Sequence, residues 1–497
     1  MGKGVVIVGT SSSSGKTFVT ALLLYHLRKR GYRVAPFKVQ NMSLNSYPAF
    51  DGGEIAIAQA MQAYIAGVEP SSSMNPILLK PIGNKYVEVI VCGKPTGIYT
   101  FKEYWDHIRP WAWRKALKCF DELMQEYDIV VVEGAGSVAE PNFLDRDIAN
   151  LRIAIERNLP AILVADIERG GAFASIIGSL EILPCPMKNK IRGFIINKFR
   201  GSLDILEPAL KWLKDKTGIP ILGVIPYINN ARIWPEDSLN LEAFGYGDVD
   251  VALIAYPTAT NLNDLEPLRY EDISLKIIRS RKSLGDPDII ILPGARSTID
   301  AMMWMKQIEL DKAIKQAIGR SVIIGLCGGH ELLGKRIIDK YGLESGAPVH
   351  VETLGVQDYI TIMYKEKIIA HTKVKPMIRD IESTLTGYEI HRGRTIYGSS
   401  KPLGKVIERN MKPAIDLDGS INEVQGVYTT FLHDILWNDA FRCYILDRAL
   451  GSIRGKKAKC KRGLDKINIL LLEMDKIYRA TINTLNFEYI EKLLLSM

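Results

Sequence analysis

The sequence predicts an α/β protein built from two parallel-sheet domains. Short runs rich in Val and Ile alternate with longer helical patterns along all 497 residues. Near-continuous apolar strands between helices are typical of parallel sheets that are covered on both faces. The predicted strands are Gly4–Gly9, Ile129–Glu133, Ala161–Ala165, Gly193–Asn197, Val249–Ala255, Asp288–Leu292 and Ser321–Leu326.

The pattern breaks near Phe244–Asp248, and a fresh strand follows. We therefore predict one domain over residues 1–246 and a second over 247–450. The remaining residues, 451–497, form a basic junction followed by a tail whose Ile/Leu periodicity predicts one or two amphipathic helices over Ile467–Met497.

Composition narrows the class of protein. Apolar residues make up 47% and charged residues 24% of the chain, which excludes a disordered or collagen-like protein. No segment approaches the ~20 uninterrupted apolar residues of a spanning helix, and the first residues do not fit a signal peptide. The six cysteines lie far apart without a Cys-x-x-Cys pair, which argues against a disulfide framework or a zinc ribbon. We expect a cytoplasmic protein without membrane association.

The net charge of +8 is concentrated in one place. Arg454–Lys466 carries seven basic residues against one acidic residue, a net charge of +6, so the rest of the chain carries only +2. A basic run of this kind is usually a solvated linker. The distribution argues against nucleic acid as a partner.

A phosphate-binding loop is predicted at the N-terminus. The segment Gly9–Thr17 reads GTSSSSGKT between a strand and a predicted helix over Phe18–Arg30. Small residues let backbone N–H groups close around phosphate oxygens, the lysine reaches the outer phosphates, and the threonine hydroxyl binds Mg²⁺. The first glycine of the usual G-x-x-x-x-G-K-[ST] pattern is replaced by Thr10. The predicted nucleotide contacts in this loop are Gly9, Thr10, Ser14, Gly15, Lys16 and Thr17.

Two later strands end in polar residues that suit a nucleotide site. Glu133 ends the strand Ile129–Glu133 and can hold the metal ion, although an acidic residue at a strand end is also common without such a role. Asn197 ends another strand, and its amide can read the edge of adenine.

The second domain carries a cysteine on a predicted strand-to-helix turn. Cys327 follows a buried strand and has glycines close on both sides, which is the arrangement of a nucleophile elbow. Gly328 supplies one oxyanion donor, and Gly294, in the turn after a neighbouring strand, supplies a second. The alternative is a cysteine packed as a small apolar residue, which the neighbouring glycines disfavour.

A thiol nucleophile needs a base, and the chain has seven histidines. His433 follows a strand-like run near the end of the second domain and is the preferred base by position. His391 is the alternative. His330, three residues after the cysteine, is expected to shape the pocket.

Residues 4 to about 447 resemble the cobyric acid synthase family. The resemblance rests on the number and order of several long stretches, which are Ala35–Ser46, Met74–Pro81, Glu133–Ser137, Asp166–Gly171, Asn197–Gly201, Ile291–Ile299 and Gly387–Thr395. It implies a dethiobiotin-synthetase-like ATP-binding domain followed by a class I-type glutamine amidotransferase domain.

The resemblance also implies a reaction. Four side-chain carboxylates (b, d, e and g) of adenosylcobyrinic acid a,c-diamide would be amidated to give adenosylcobyric acid, with one ATP and one glutamine used each time. Each carboxylate would be activated as an acyl phosphate with ATP and Mg²⁺, and Cys327 and His433 would release the ammonia. The partners are therefore the corrinoid a,c-diamide, glutamine and ATP, and a homo-oligomer stays open.

Further site residues follow only from this resemblance. Lys38 is expected near the phosphates, Asn197 at the adenine, and Asp51 beside Thr17 and Glu133 at the metal. The residues expected at the corrinoid carboxylate are Gln40, Asn41, Asn45, Asp147, Asp166 and Arg169.

The chain departs from the amidotransferase pattern around the expected glutaminase site. Glu331 stands where glutamine is usual, Asp434 replaces a glycine after His433, and Ile435 stands where many amidotransferases carry the carboxylate that orients the base. If these departures weaken one of the two activities, it is the glutaminase, and free ammonia would then be the alternative nitrogen source.

Two rival interpretations remain. One is a related ATP-dependent amidotransferase of the cobyrinic acid a,c-diamide synthase type, which Phe37–Met42 disfavours. The other is a partitioning-type ATPase switch with an inactive hydrolase domain. Such ATPases usually carry an additional lysine early in the phosphate loop, where Ser11 stands here.

Overall fold

The computed structural model describes residues 2–83, 85–229, 233–234, 242–454 and 458–495. The chain forms two compact units that are interleaved in sequence. The first unit comprises Met1–Ser43, Gly53–Trp234 and Ile467–Met497, and the second comprises Leu44–Gly52 and Pro235–Lys466. The predicted ranges 1–246 and 247–450 follow this division approximately, but the tail belongs to the first unit and a short N-terminal segment to the second.

The N-terminal half of the chain alternates strands and helices. The strands are β1 (Lys3–Gly9), β2 (Val34–Phe37), β3 (Gln40–Met42), β4 (Ser46–Pro48), β5 (Glu54–Ala56), β6 (Ile77–Ile82), β7 (Tyr86–Val91), β8 (Lys94–Thr100), β9 (Ile129–Glu133), β10 (Ala161–Asp166), β11 (Ile191–Phe199) and β12 (Ile221–Pro226). The helices are α1 (Lys16–Lys29), α2 (Ile57–Ala66), α3 (Phe101–Glu103), α4 (Arg109–Glu126), α5 (Leu151–Glu156), α6 (Ala172–Ile182), α7 (Cys185–Lys188) and α8 (Leu203–Thr217). A π-helical turn spans Tyr104–Ile108, and a 3-10 turn spans Ser72–Met74.

The main sheet of the first unit is parallel, in the order β12-β11-β10-β1-β9-β2. Its strands are apolar throughout because helices cover both faces, so the predicted strands and the helix after the phosphate loop are confirmed. Parallel pairing brings the loops after β1, β9 and β11 to one edge of the sheet. A smaller sheet of the same unit has the order β3-β6-β7-β8.

The second unit continues with its own set of elements. Its further strands are β13 (Val249–Ile254), β14 (Ala259–Thr260), β15 (Ile273–Ile278), β16 (Ile289–Leu292), β17 (Gly294–Ala295), β18 (Val322–Leu326), β19 (Arg336–Asp339), β20 (Val349–Glu352), β21 (Tyr359–Pro376), β22 (Leu385–Tyr397), β23 (Gly404–Arg409), β24 (Lys412–Asp418), β25 (Ser420–Asn422) and β26 (Val427–Thr430). Its helices are α9 (Thr298–Gln307), α10 (Leu310–Gln316), α11 (Gly328–Leu333) and α12 (Asp439–Arg454), with 3-10 turns at Leu262–Tyr270, Arg281–Ser283 and Ile435–Trp437.

The central sheet of this unit has the order β15-β13-β16-β18-β26-β25 and is parallel except for the edge strand β25. The predicted strands at Val249, Asp288 and Ser321 are confirmed to within one residue at each end. A second, mostly antiparallel sheet has the order β20-β19-β21-β23-β24, and β22 pairs with β21. Within the described residues, no helix has both the length and the hydropathy to cross a membrane.

The tail forms two helices, α13 (Lys466–Thr481) and α14 (Phe487–Leu495), as its periodicity predicts. Its apolar side chains, among them Leu470, Met474 and Leu494, are buried in one cluster with residues of β1 and α1. His26 of α1 joins this contact, because its ring nitrogens lie 2.9 Å from the Tyr478 hydroxyl and 2.8 Å from the Glu491 carboxylate. The tail is therefore part of the core of the first unit.

The described part of the basic junction belongs to the second unit and is hydrogen-bonded to it, although the side chains of Lys459, Lys461 and Arg462 are exposed to solvent. The Lys461 N–H donates to Glu271 at 2.9 Å, and the Ala458 N–H donates to Asp447 at 2.9 Å. Carboxylates of the second unit thus accept hydrogen bonds from backbone N–H groups of the junction. The predicted junction also includes residues 455–457, which lie outside the described part of the chain.

The cysteine interpretation also needs correction. Cys443 of α12 and Cys460 of the junction form a disulfide, with their Cα atoms 5.3 Å apart and a sequence separation of 17. Sequence spacing gave no sign of this pair, because the junction turns back along α12 only once the unit is folded. Cys92, Cys119, Cys185 and Cys327 take no part in a disulfide.

We predict that shortening Met474 destabilises the first unit. Met474 is 0% exposed, and Met474→Ala leaves a cavity between the tail and the sheet, so the free energy of unfolding should fall by about 2–4 kcal/mol. The matched control is Leu472→Ala on the same helix, where the side chain is 63% exposed and a change below about 0.5 kcal/mol is expected. Chemical denaturation of the full chain measures both. Equal effects would mean that the tail does not pack as described.

Candidate active site

The phosphate loop after β1 has the features of an anion site. Gly15 has a φ of 100°, and no side chain caps the start of α1. The Ser14 hydroxyl is buried without a hydrogen-bond partner, and a Cβ on Gly9 would lie 2.2 Å from it. The first N–H groups of a helix have no partner within that helix, the Ser14 hydroxyl can donate a hydrogen bond, and Gly9 leaves space because it has no side chain. Together these features fit a bound phosphate.

Lys16 extends along this loop. Its Nζ donates to the Ser11 carbonyl at 3.0 Å and to the Gly136 carbonyl at 2.8 Å. Both acceptors are neutral, so a phosphate oxygen would be the stronger partner for the ammonium group.

Glu133 is the centre of the polar site at the end of β9. Its Oε1 accepts hydrogen bonds from the Thr17 hydroxyl at 2.9 Å and from Lys38 Nζ at 2.8 Å, and the lysine and the carboxylate are both buried. The carboxylate and the hydroxyl are hard oxygen donors that suit Mg²⁺. Within the described residues no cluster of three or more His, Cys, Asp or Glu side chains could hold a metal, so a magnesium ion here would also need water or phosphate oxygens.

A chain of buried amides leads to the other oxygen of Glu133. Asn41 Nδ2 donates to Gln59 at 2.9 Å, Gln59 Nε2 to Gln62 at 3.4 Å, and Gln62 Nε2 to Glu133 Oε2. The chain joins the predicted corrinoid residue Asn41 to the predicted metal carboxylate. Sequence reasoning missed both glutamines, although two buried glutamines three residues apart on the apolar helix α2 were a usable signal.

The other predicted residues of the first unit lie as follows. Asn197 Nδ2 donates to the Ser14 carbonyl at 2.9 Å, so it supports the phosphate loop directly, and its adenine role stays a prediction. Asp166 pairs with Lys198 at 2.7 Å. Half-buried Asp147 accepts from the Ala149 N–H and from Asn150, and burial raises its pKa.

Gln40 accepts a hydrogen bond from the Tyr104 hydroxyl, and Arg169 is exposed.

Asp51 and Asn45 belong to the segment Leu44–Gly52, which is part of the second unit. Asp51 is exposed there, and its metal role stays a prediction. Asn45 is buried, and its Oδ1 accepts the Asn261 N–H at 2.9 Å.

Cys327 lies at the turn between β18 and α11, as the elbow pattern predicts. Its φ is 49° and its ψ is −105°, a strained conformation for a residue with a side chain. The neighbouring glycines are required, because a Cβ on Gly325 would lie 2.6 Å from Leu333, and one on Gly328 would lie 2.6 Å from the Ala295 nitrogen. Gly294, the other predicted oxyanion residue, lies close to His433, because a Cβ on Gly294 would lie 3.5 Å from the His433 ring.

His433 is paired with a carboxylate that sequence reasoning missed. Its Nδ1–H donates to Asp264 Oδ2 at 2.7 Å, and both side chains are buried. Tyr388 stacks on the imidazole with centroids 4.9 Å apart. Asp264 therefore fixes the tautomer and leaves Nε2 as the ring atom for proton transfer. Asp264 lies 169 residues before His433 in a 3-10 turn, so the usual position two residues after the histidine gave no signal.

The electrostatics favour a protonated His433. Burial lowers its pKa, but the charges of Asp264 and Cys327, together with the hydrogen bonds to them, outweigh burial and hold the pKa well above its ordinary value. An imidazolium beside a thiol stabilises the thiolate, which is the nucleophilic form of cysteine.

The structure explains why Asp434 can stand after His433, where the amidotransferase pattern has a glycine. Asp434 has a φ of 63°, which is the left-handed region where glycine is usual and which aspartate tolerates better than most residues. Its N–H donates to Asp264 Oδ1 at 2.8 Å, and its carboxylate pairs with Lys466 at 2.6 Å. Asp264 thus binds the base and the residue after it.

The two other histidines of this region have structural contacts. Both ring nitrogens of His391 are engaged, with the Gly393 carbonyl at 2.8 Å and with Glu389 at 3.3 Å. His330 lies between the hydroxyls of Thr429 and Thr395, and burial lowers its pKa to about 3. The arrangement favours His433 over the alternative His391 and leaves His330 to shape the pocket.

Glu331 is buried beside the nucleophile. Burial raises its pKa well above the ordinary range, and the nearby Glu344 and Cys327 raise it further. Burial also raises the pKa of Glu344 to about 7, although this carboxylate accepts hydrogen bonds from the backbone and hydroxyl of Thr298. Burial therefore favours the protonated form of Glu331, which is close in shape and polarity to the glutamine that is usual at this position.

Comparison with known families defines the class of protein. Residues 5–241 match the CobQ/CobB/MinD/ParA nucleotide binding domain, and residues 250–441 match the CobB/CobQ-like glutamine amidotransferase domain. With the phosphate loop and the cysteine elbow, these matches define an ATP-dependent amidotransferase. The expected α/β architecture of two such domains is confirmed.

Full-length relatives narrow the class to one family. The chain is 39% identical over 487 residues to the cobyric acid synthase of Clostridium botulinum (strain ATCC 19397 / Type A), covering 95% of this chain and 98% of that protein. It is 38% identical over 505 residues to the cobyric acid synthase of Carboxydothermus hydrogenoformans, covering 99% of this chain and all of that protein. The chain belongs to the cobyric acid synthase family.

We predict that Asp264 sets the proton affinity of His433. Asp264→Asn removes the charge that stabilises the imidazolium, so the pKa of His433 falls and the ring loses its proton at a lower pH than in the wild type. Nitrogen-15 NMR of the imidazole across a pH series measures this shift. The control is Glu389→Gln, which removes the buried carboxylate beside His391. A His433 pKa that moves equally in both variants contradicts the pairing.

We also predict that Glu331→Gln is nearly silent. Because burial favours the protonated form of Glu331, the amide should replace it without loss of charge, and glutaminase kcat/KM should stay within about threefold of the wild type. Steady-state glutamate release measures this. Glu331→Ala, which removes the polar group, is the comparison. A loss of tenfold or more in the glutamine variant would mean that Glu331 acts as a carboxylate.

Proposed function

We propose that the protein is the glutamine-hydrolysing synthase that converts adenosylcobyrinic acid a,c-diamide into adenosylcobyric acid by amidating the b, d, e and g carboxylates. The observation that carries the proposal is the presence in one chain of a Glu133-centred phosphate loop and of a half-buried Cys327 beside the buried pair of His433 and Asp264. The full-length similarity to named cobyric acid synthases supports the choice of corrinoid substrate.

Glutamine hydrolysis would begin at Cys327. The thiolate attacks the glutamine side-chain amide, and N–H groups at Gly328 and at the turn of Gly294 stabilise the oxyanion. The imidazolium of His433 gives its proton to the leaving ammonia, and Asp264 keeps the ring oriented. Water then attacks the thioester, with the same imidazole as base, and releases glutamate.

Activation of the corrinoid carboxylate would take place at the phosphate loop. Lys16 and Lys38 neutralise charge on the phosphoryl group, and backbone N–H groups after Gly15 bind the nucleotide phosphates. Thr17 and Glu133 would hold Mg²⁺, which supplies positive charge at the transferred phosphate when bound. Ammonia displaces phosphate from the resulting acyl phosphate and gives the amide.

Recognition of the corrinoid carboxylates is assigned to polar residues of the first unit. Gln40 and Asn41 lie on β3, and the amide chain through Gln59 and Gln62 joins Asn41 to the metal carboxylate. A carboxylate bound at Asn41 would thus be aligned with the phosphoryl-transfer residues. Asp147, Asp166 and Arg169 are the remaining candidates for the substrate and its phosphorylated form.

The alternative within the class is an enzyme of the cobyrinic acid a,c-diamide synthase type, which amidates two other carboxylates of the same ring system. The buried hydrogen-bonded Asn41, within the Phe37–Met42 stretch, favours the synthase proposed above. A partitioning-type switch has no use for a histidine held by a buried carboxylate next to a cysteine.

The test is incubation of the full-length protein with adenosylcobyrinic acid a,c-diamide, ATP, Mg²⁺ and glutamine, followed by mass spectrometry. We expect the mass change of four carboxyl-to-amide conversions. No change on this substrate contradicts the proposal, and amidation of cobyrinic acid instead supports the alternative.

The control is Cys327→Ala assayed with glutamine and with ammonium chloride. The variant should lose the glutamine-dependent product by at least about 10³-fold and keep the ammonia-dependent product, because only the nucleophile of the glutaminase is removed. An equal rate of glutamate release with and without the thiol contradicts the role of Cys327.

A further inference from the structure

The segment Leu44–Gly52 reaches the base of the proposed glutaminase site although it comes from the nucleotide-binding half of the sequence. Met1–Ser43 and Gly53–Trp234, on either side of it in sequence, belong to the first unit, whereas this segment is part of the second. It lies outside the residues 250–441 that match the amidotransferase domain. Its contacts therefore add residues to the site that the domain alone does not contain.

Asn45 makes the central contact. Its Oδ1 accepts the backbone N–H of Asn261 at 2.9 Å, and both residues are buried. Asn261 has a φ of 55° and a ψ of 40°, which is a left-handed conformation that needs local support in a residue with a side chain. The hydrogen bond from Asn261 to Asn45 holds the backbone in that conformation.

Asn261 restrains the position of His433 through two contacts. Its side-chain Nδ2 lies 3.3 Å from His433 Nε2. Its carbonyl also accepts the N–H of Asp264 at 3.1 Å, at the start of the turn whose carboxylate binds His433 Nδ1 at 2.7 Å. Both nitrogens of the imidazole thus depend on the position of Asn261.

Neighbouring aromatic residues of the segment support the same region. Tyr47 packs on Tyr388 with ring centroids 4.9 Å apart, and Tyr388 stacks on His433. Phe50 stacks on His371 at 4.4 Å. These contacts fix the part of the segment that follows Asn45, and so they support the Asn45 hydrogen bond.

We propose that Asn45 is a positioning residue of the glutaminase, acting on His433 through Asn261, rather than a contact of the corrinoid carboxylate as the sequence resemblance implies. The inference rests on the proposed function, because it assumes that His433 is the base in glutamine hydrolysis. It assigns to the N-terminal half of the chain a part in the chemistry of the C-terminal domain.

The experiment compares Asn45→Leu with Asn45→Asp in the full-length protein. Leucine has a similar size but no acceptor, so glutaminase kcat should fall by about 10–100-fold while KM for glutamine changes little. Aspartate keeps an oxygen that can accept the Asn261 N–H, and it should restore at least a third of the lost kcat. Ammonium-dependent amidation of the corrinoid should stay within about twofold of the wild type in both variants.

Two controls separate the outcomes. Leu472→Ala, on the tail and 63% exposed, should leave both activities unchanged, and thermal unfolding of each variant checks the fold. Loss of ammonium-dependent amidation with intact glutaminase would overturn the inference in favour of a substrate contact. An Asn45→Leu variant with the same glutaminase activity as the wild type would overturn the inference as well. Absence of glutaminase in the wild type, by contrast, would contradict the proposed function itself.

Discussion

Parallel pairing brings the carboxyl ends of neighbouring strands to one edge of a sheet, and both units build their chemistry at such an edge. In the first unit, β1 ends at the phosphate loop, β9 at Glu133 and β11 beside Asn197. In the second, β16 precedes Gly294, β18 ends at Cys327, and β26 precedes His433. The order of strands in each sheet thus decides which residues meet, however far apart they lie in sequence.

Burial then determines the charge state of the groups that meet. Glu133 is stabilised by the ammonium of Lys38, and Asp264 by the imidazole of His433, so neither carboxylate is buried alone. Glu331 has no such cation in its described contacts, and burial favours its protonated form instead. Removing one member of a pair should therefore cost more than replacing a group that is already neutral.

Segments remote in sequence complete both units. The tail helices fill the core beside β1, and the segment with Asn45 reaches the turn that carries Asp264. Lys466, at the start of the tail, pairs with Asp434 beside the base. The second unit therefore obtains side chains near its proposed catalytic centre from residues before and after the matched amidotransferase domain.

Local patterns are enough to predict the α/β class, the main strands, the phosphate loop and the cysteine elbow, because apolar runs, glycine turns and Gly-Lys-Thr can be recognised within short stretches. They also point to Cys327 and His433, but they miss Asp264, Gln59 and Gln62 and give no sign of the Cys443–Cys460 disulfide. The sequence resemblance predicts Asn45 at the corrinoid carboxylate, whereas in the folded chain its side chain accepts the Asn261 N–H. Such contacts depend on the folded chain, because hydrogen bonds across 169 residues and pKa shifts caused by burial arise from packing that sequence spacing does not encode.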